Sequence, residues 1–357
     1  MSFKTVSRVL NDEPDVSPET ADHVRAAIDT LGFRRNDMAR VLRRGESSRL
    51  LGLVTGDVAN PFYSEIARAV EEVAHQQGYL LITASSDEDP ERERDLLRLL
   101  CERRVGGLLV VPAPEADHRY LLAEMRMGTA IVFMDRPAQN LEVDLVVADN
   151  VDGARRATEH LLKQGHRRIG MVADMGSLFT AVERRHGYLE ALAASGVPVD
   201  DGLVRLGSRD AAAAEAVTRE LLALPEPPTA LFAGNNRNAV GALRALRDAR
   251  QPIALVGFDD FESADMLSVT VVAQHPAALG RRAAELLCQR LAGDDRPPQR
   301  IVVPTELIPR GTGEVGPVSK ASATPARATA GGTSFKLAEA RPPTDSKPQA
   351  EPDRDGV

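Results

Sequence analysis

From Leu50 onward the apolar residues fall in short unbroken runs, at 50–54 (LLGLV), 79–83, 107–111, 130–134, 168–172, 229–233 and 253–257. Amphipathic stretches with helical spacing separate them, at 62–77, 90–103 and 152–164. An unbroken apolar run reads as a strand covered on both faces. Such strands alternating with helices form parallel sheets. Seven of these strands, with a late one near 300–304, fit two doubly wound sheets better than one. Ahead of them, residues 1–49 are polar and helical. Ser2 is placed to cap a short helix with Val6, Val9 and Leu10 on one stripe. Ser17 is a second N-cap, Pro18 stands at the first helical position, and Ala21, Val24, Ile28 and Leu31 repeat at helical spacing up to Gly32, a stop residue.

Length and composition add limits. At about 150 residues per domain, a 357-residue chain holds two or three domains. With 43% hydrophobic and 27% charged residues it is an ordinary folding composition. No apolar run reaches the roughly 18 residues of a membrane span, and the N-terminus has no apolar signal region. Cys101 and Cys288 match no metal spacing and exclude a disulfide framework, so a reducing cytoplasm is expected. Residues 314–357 hold six prolines and only five Ile, Leu, Val or Phe, too few apolar groups to offset ordering entropy, and read as a disordered tail.

The net charge of −8 argues against a nucleic-acid partner, but its distribution does not. Residues 1–50 carry nine Lys or Arg against eight Asp or Glu, and six arginines crowd into 34–49. A basic stripe on an acidic chain needs a local reason. Catalytic signatures are absent: there is no Walker A, HExxH or GxSxG, and the seven histidines are scattered. The chain therefore reads as no enzyme, with no cofactor and no metal. The first helix puts Phe3, Lys4 and Arg8 on one face, the donors and apolar ring that a major-groove reader needs, with Thr5, Ser7 and Asn11 within reach of phosphates. A solvated polar helix fits the same residues. The stretch 34–45 is a basic helix stopped by Gly45, read either as a charged linker or as a segment that folds on DNA with Arg40 and Arg43 on phosphates and Leu42 in the minor groove.

Several motifs in register then carry a resemblance. They are TVSRVLN at 5–11, VSPET at 16–20, LGF at 31–33, RxNxxARxL at 34–42, DVANPF at 57–62, DEDPERE at 87–93 and RRVGGLLVVP at 103–112. HLLKQGHRRIG at 160–170, ERRHGYLEAL at 183–192, VGFDD at 256–260 and VVAQHP at 271–276 continue it. The chain resembles the lactose-repressor (LacI/GalR) family of bacterial transcription regulators over residues 2 to about 313. The resemblance implies an α/β protein with two doubly wound lobes of periplasmic-binding-protein type, a helix-turn-helix segment (1–33), a hinge helix (34–48) and a core (49–313) that binds an effector and dimerises. It implies operator DNA, a small sugar-like effector and a second copy of the chain as partners, and no membrane.

Carried over by position, Phe3, Lys4 and Arg8 become the base readers and Leu42 the minor-groove wedge. Phe62, Arg184 and Asp259 become effector contacts, with Asp149 and Asn236 as further candidates. Arg donates in a fork, a carboxylate accepts from vicinal hydroxyls, and an aromatic face covers C–H groups. Arg184 and Asp259 are expected on opposite sides of a mostly apolar groove. Three departures qualify the match. Met1 stands at a family Val and the helix ahead of the reader is missing, so the Val6, Val9 and Leu10 stripe is expected to lack a partner and the chain is expected to start further upstream. Asn236 replaces a usual Asp, and Gly207-Ser208-Arg209 lacks the usual aromatic wall. The expected function is an effector-controlled DNA-binding regulator, a repressor. The competing readings are a cytoplasmic sugar sensor that no longer binds DNA, and an enzyme on the same two-lobed sheet.

Overall fold

The polar N-terminal segment forms two helices, α1 (Phe3–Leu10) and α2 (Pro18–Leu31). Ser2 Oγ accepts from Thr5 N at 3.2 Å to start the first. Ser17 caps the second by accepting from Thr20 N, and Gly32 ends it in the left-handed region at φ 60°. The two helices pack together, burying Val9 and Val24. Val9 therefore has cover, against the expectation for its stripe, because α2 lies over it. This computed structural model describes residues 2–10, 16–32, 48–247 and 252–317, without the side chains of Phe3, Ser7 and Leu10.

The core holds two six-stranded sheets. The first lobe contains β1 (Leu50–Thr55), β2 (Leu80–Ser85), β3 (Gly107–Val110), β4 (Ala130–Met134), β5 (Asp144–Ala148) and β11 (Arg300–Val303). The order is β11-β5-β4-β3-β1-β2, parallel throughout. The second lobe contains β6 (Ile169–Val172), β7 (Val204–Arg205), β8 (Ala230–Ala233), β9 (Ala254–Phe258), β10 (Thr270–Ala273) and β12 (Glu306–Ile308). Its order is β12-β10-β9-β8-β6-β7, with β12 alone antiparallel. The helices are α3 (Pro61–Gln76), α4 (Pro90–Glu102), α5 (Leu121–Arg126), α6 (Asn150–Lys163), α7 (Phe179–Ala194), α8 (Ala211–Leu222), α9 (Asn236–Leu246) and α10 (Pro276–Leu291).

The local reasons repeat. Asn60, Asp89, Asp149, Asp210 and Asn235 each cap a helix by accepting from backbone N–H groups one turn in. Leu51, Leu53, Val132 and Val146 on one face of the first sheet pack with Ile66 and Leu287 of α3 and α10. The other face buries Val54, Leu108 and Phe133 with Leu97 of α4. Burial on both faces explains why the central strands β1, β3 and β4 are apolar almost throughout. In the second lobe α6 and α7 approach so closely that a Cβ on Gly187 would sit 2.1 Å from Val151 O.

The chain crosses between lobes three times, from β5 to α6, from β10 to α10 and from β11 to β12. The fold also runs past the expected start of the tail. Residues 314–317 pack on the second lobe: Glu314 reaches His160 at 2.6 Å and accepts from Thr270 Oγ1, while Val315 O accepts from His166 Nε2. Composition missed this because the anchoring groups, rather than apolar bulk, hold the segment.

Candidate functional site

The carboxyl ends of the parallel strands in both sheets face one cleft, the place where open α/β sheets bind ligands. A cavity of about 240 Å³ lies there. Its walls are built by residues that follow strands. Asp57 follows β1, Asp87 and Glu88 follow β2, and Asp135 and Arg136 follow β4. From the second lobe come Asp174 after β6, Arg209 after β7, Asn235 after β8, Asp259 after β9 and Gln274 after β10. Asp135 and Asp259 adopt φ of 64° and 68°. Left-handed backbone at a non-glycine residue is strained and gathers where function demands a given side-chain direction.

Arg184 is 5% and Asp259 6% exposed. Arg184 Nε donates to Asn150 Oδ1 at 2.8 Å and Nη1 to Gly234 O at 2.6 Å. Its Nη2 lies 3.8 Å from Asp259 Oδ1, and its guanidinium covers the Phe258 ring at 3.9 Å. Both residues therefore belong to the second lobe and already face each other. The expectation of opposite sides of an apolar groove is corrected twice, since charged and amide groups line most of the cavity. Phe62, at the start of α3, does line it, edge-on to Tyr63 with centroids 5.1 Å apart.

Asp149 and Asn236 are not among the lining residues. Asp149 Oδ1 accepts from Asp152 N, so its carboxylate caps α6 at the first crossing. Asn236 Nδ2 donates to Asn60 Oδ1 at 2.9 Å, a bond between the lobes. Arg237 pairs with Asp57 beside it, a second tie across the cleft.

The first lobe adds a buried network that sequence reasoning missed. Arg136 donates to both oxygens of Glu88, to Tyr63 Oη and to Pro112 O. Burial raises the Asp135 carboxyl above its ordinary pKa in spite of Arg136 and Arg184, and burial also raises Asp174. Asp57 is the opposite case. Burial pushes it up, but the Arg237 hydrogen bond, the Ala59 N–H and the Arg237 charge together hold it below the ordinary value. In place of the absent aromatic wall, Arg209 lays its Nε and Nη2 against the Met175 sulfur.

At the other end, Lys4 is exposed on α1, and Thr5 and Arg8 are partly exposed. Thr5 Oγ1 sits 2.9 Å from Ser2 Oγ. Phe3 and Ser7 lie on the same helix; Asn11, Arg40, Leu42 and Arg43 lie outside the described residues. Among the described residues no three His, Cys, Asp or Glu side chains gather as a metal site, and no helix is long and apolar enough to cross a membrane.

Two family matches divide the chain where the fold does. Residues 1–36 match the family described as bacterial regulatory proteins, lacI family. Residues 48–310 match the periplasmic binding proteins and sugar binding domain of LacI family. The chain is 34% identical over 321 residues to the HTH-type transcriptional regulator CelR of Thermobifida fusca, covering 87% of this chain and 94% of that one. It is 35% identical over 266 residues to the HTH-type transcriptional regulator GalR of Salmonella typhimurium, covering 73% and 77%. Its fold is similar to a solved CelR–cellobiose complex, with a TM-score of 0.67, 31% identity and coverage of 87% and 96%. It is also similar to the lac repressor dimer bound to operator and the anti-inducer ONPF, with a TM-score of 0.78, 27% identity and coverage of 88% and 96%.

Proposed function

Because the chain belongs to the LacI family of bacterial regulatory proteins, we propose that it is a sequence-specific transcription regulator, a repressor, whose grip on operator DNA is set by a small effector in the cleft. The effector is a sugar or sugar phosphate. The observation that carries this reading is the cavity between the two lobes, closed by side chains from both and tied by Asn236 to Asn60 and Arg237 to Asp57. A ligand there touches both lobes at once, so it binds one interlobe angle better than another, and only that difference can move a DNA-binding segment.

Arg184, Asp259 and Phe62 are the effector contacts of this reading, with Asn236 holding the lobes and Asp149 the crossing. Lys4, Arg8 and Phe3 read bases, Thr5, Ser7 and Asn11 hold phosphates, and Arg40, Leu42 and Arg43 form the hinge contact with DNA. The segments are residues 1–33 for the reader, 34–48 for the hinge and a core reaching Pro317. The protein acts as a homodimer on a two-fold operator, in the bacterial cytoplasm, and catalyses no reaction.

The test is fluorescence anisotropy of the full chain on operator candidates selected from a random DNA pool, with and without a panel of sugars and sugar phosphates. The expected result is selection of a two-fold sequence whose affinity changes at least tenfold with one panel member. Binding of a panel member with no DNA selected would leave a sensor instead. Tight effector binding that survives both Arg184→Ala and Asp259→Ala would overturn the site.

A further inference from the structure

Carboxylates outnumber guanidiniums around the cavity, and most of its guanidinium donors are engaged. Arg136 is committed through Nη1 and Nη2 to Glu88, Tyr63 and Pro112 O, while its buried Nε, 3.3 Å from Asp135 Oδ2, makes no hydrogen bond. Arg237 is committed to Asp57, and Arg184 donates to Asn150 and Gly234 O, with its Nη2 3.8 Å from Asp259 Oδ1. Arg209 rests on the Met175 sulfur. On the acceptor side, Gln274 is 2% exposed. Its Nε2 donates to Asp259, while its Oε1 is buried with no hydrogen-bond partner. An unpartnered buried acceptor costs free energy until a donor arrives.

The charge points the same way. Six carboxylates against four guanidiniums line the cavity. Phe62, Asp259 and Gln274 also wall a larger adjoining groove of about 730 Å³. That groove adds Glu65, Asp260, Glu262 and Asp265 against His275 and Arg310. A ligand reaching the cavity through it passes an acidic mouth, and clefts lined by one sign of charge focus that field. Burial holds the Asp135 and Asp174 carboxyls above their ordinary range, and an anion placed beside either would raise it further.

We propose that the cleft takes a hydroxyl-rich ligand without negative charge, whose hydroxyls donate to Gln274 Oε1 and to the Asp135 and Asp174 carboxyls, and that it rejects the phosphorylated or carboxylated form of the same ligand. This rests on the reading of the cleft as an effector site. A hydroxyl donates and accepts, and fits either state of those carboxyls. A phosphate at neutral pH brings acceptors and about −1.5 to −2 charges to groups that need donors, and discrimination grows from such unpaired, repelling groups.

The experiment is titration calorimetry on the full chain. Common aldopentoses, aldohexoses and their disaccharides are each paired with the sugar phosphate and the aldonate. The expected result is binding of at least one unmodified sugar, with its phosphate and acid partners at least a hundredfold weaker and the gap narrowing as salt screens the carboxylates. Asp174→Asn, which keeps shape and removes charge, should shrink the gap about tenfold. A phosphate or aldonate that binds as tightly as its parent sugar overturns the proposal, as does a gap unchanged in Asp174→Asn. A folded chain that binds neither the sugars nor their anionic partners overturns the effector reading itself.

Discussion

Asn236 of the second lobe donates from Nδ2 to Oδ1 of Asn60 in the first at 2.9 Å, and that same oxygen accepts from Phe62 N at 3.2 Å to cap α3. One carbonyl oxygen thus starts a helix and ties the lobes. An amide at 236 supplies a proton that a carboxylate there would lack. Asn236→Asp should therefore loosen the closed form, and Arg237→Ala should do so by leaving Asp57 without its partner. Each lost bond is worth about 0.5–1.5 kcal/mol, roughly a two- to tenfold shift toward open lobes. Distance distributions between spin labels on the two lobes check this; unchanged distributions in both variants would refute the tie.

A second expectation concerns DNA. Lys4→Ala or Arg8→Ala should weaken operator binding by roughly 1–3 kcal/mol and relax preference at one or two base pairs. Arg43→Ala should weaken all sequences about equally and lower the salt slope by about one. Competition binding over a randomised operator library at several salt concentrations separates the two patterns. If all three variants shifted only the non-specific affinity, α1 would not be the reading helix.

The packing of residues 314–317 predicts a pH dependence. His166 Nε2 donates to Val315 O at 2.7 Å, leaving Nδ1 to face Thr229 Oγ1 at 2.9 Å. Burial depresses its pKa, outweighing the opposite pull of the Val315 carbonyl. The unfolded chain therefore binds this proton more readily than the folded one. The stabilisation is complete above the ordinary histidine value of about 6.5 and is lost as pH falls through the lower folded value. His166→Asn should lower stability at pH 7 by about 1 kcal/mol and flatten the decline below pH 6.5. Calorimetric melting of both chains from pH 8 to 5 decides it; parallel curves would assign the dependence elsewhere.

Asp144 and Arg290 make the fourth case. Asp144, buried at the start of β5, accepts from Arg290 Nε at 2.7 Å and Nη2 at 2.8 Å, and from Gln299 N at 2.8 Å. Asp144→Ala strips these donors of their acceptor in a mostly buried place, at a cost of about 3–5 kcal/mol. Urea unfolding should show it as a lower midpoint, and a loss under 1 kcal/mol would contradict the arrangement.

The same pair shows why β5 escapes a reading of the sequence. Its run opens on a charge, and the neutralising partner comes far along the chain on α10. β10 is similar, a four-residue run legible as a motif but too short to stand alone as a strand. The longer apolar runs, the Ser17 and Gly32 helix limits and the late strand at 300–303 were legible because each depends on neighbours in sequence. Of the site, Phe62, Arg184 and Asp259 were legible by position. Asp135, Asp174 and Gln274 carry a local signal: each lies one or two residues beyond a buried parallel strand, at the edge where sheets bind ligands. Asp149 obeys the same rule after β5 yet caps α6, because the chain leaves for the other lobe at that point. Which lobe supplies Arg184 and Asp259 depends on the crossings, and no local pattern encodes those.

The three crossings also set an order of assembly during synthesis. The first sheet lacks its edge strand β11, and the α3 face lacks α10, until the second lobe has almost wholly left the ribosome. Leu145 of β5 waits for Arg300 of β11, and the apolar side of α3 stays uncovered meanwhile. Pairing across so long a loop is slow, and exposed apolar faces on a growing chain invite misassociation. A nascent chain cut short near residue 270 should therefore be protease-sensitive in both lobes, since each still lacks an edge strand, β11 in the first and β12 in the second.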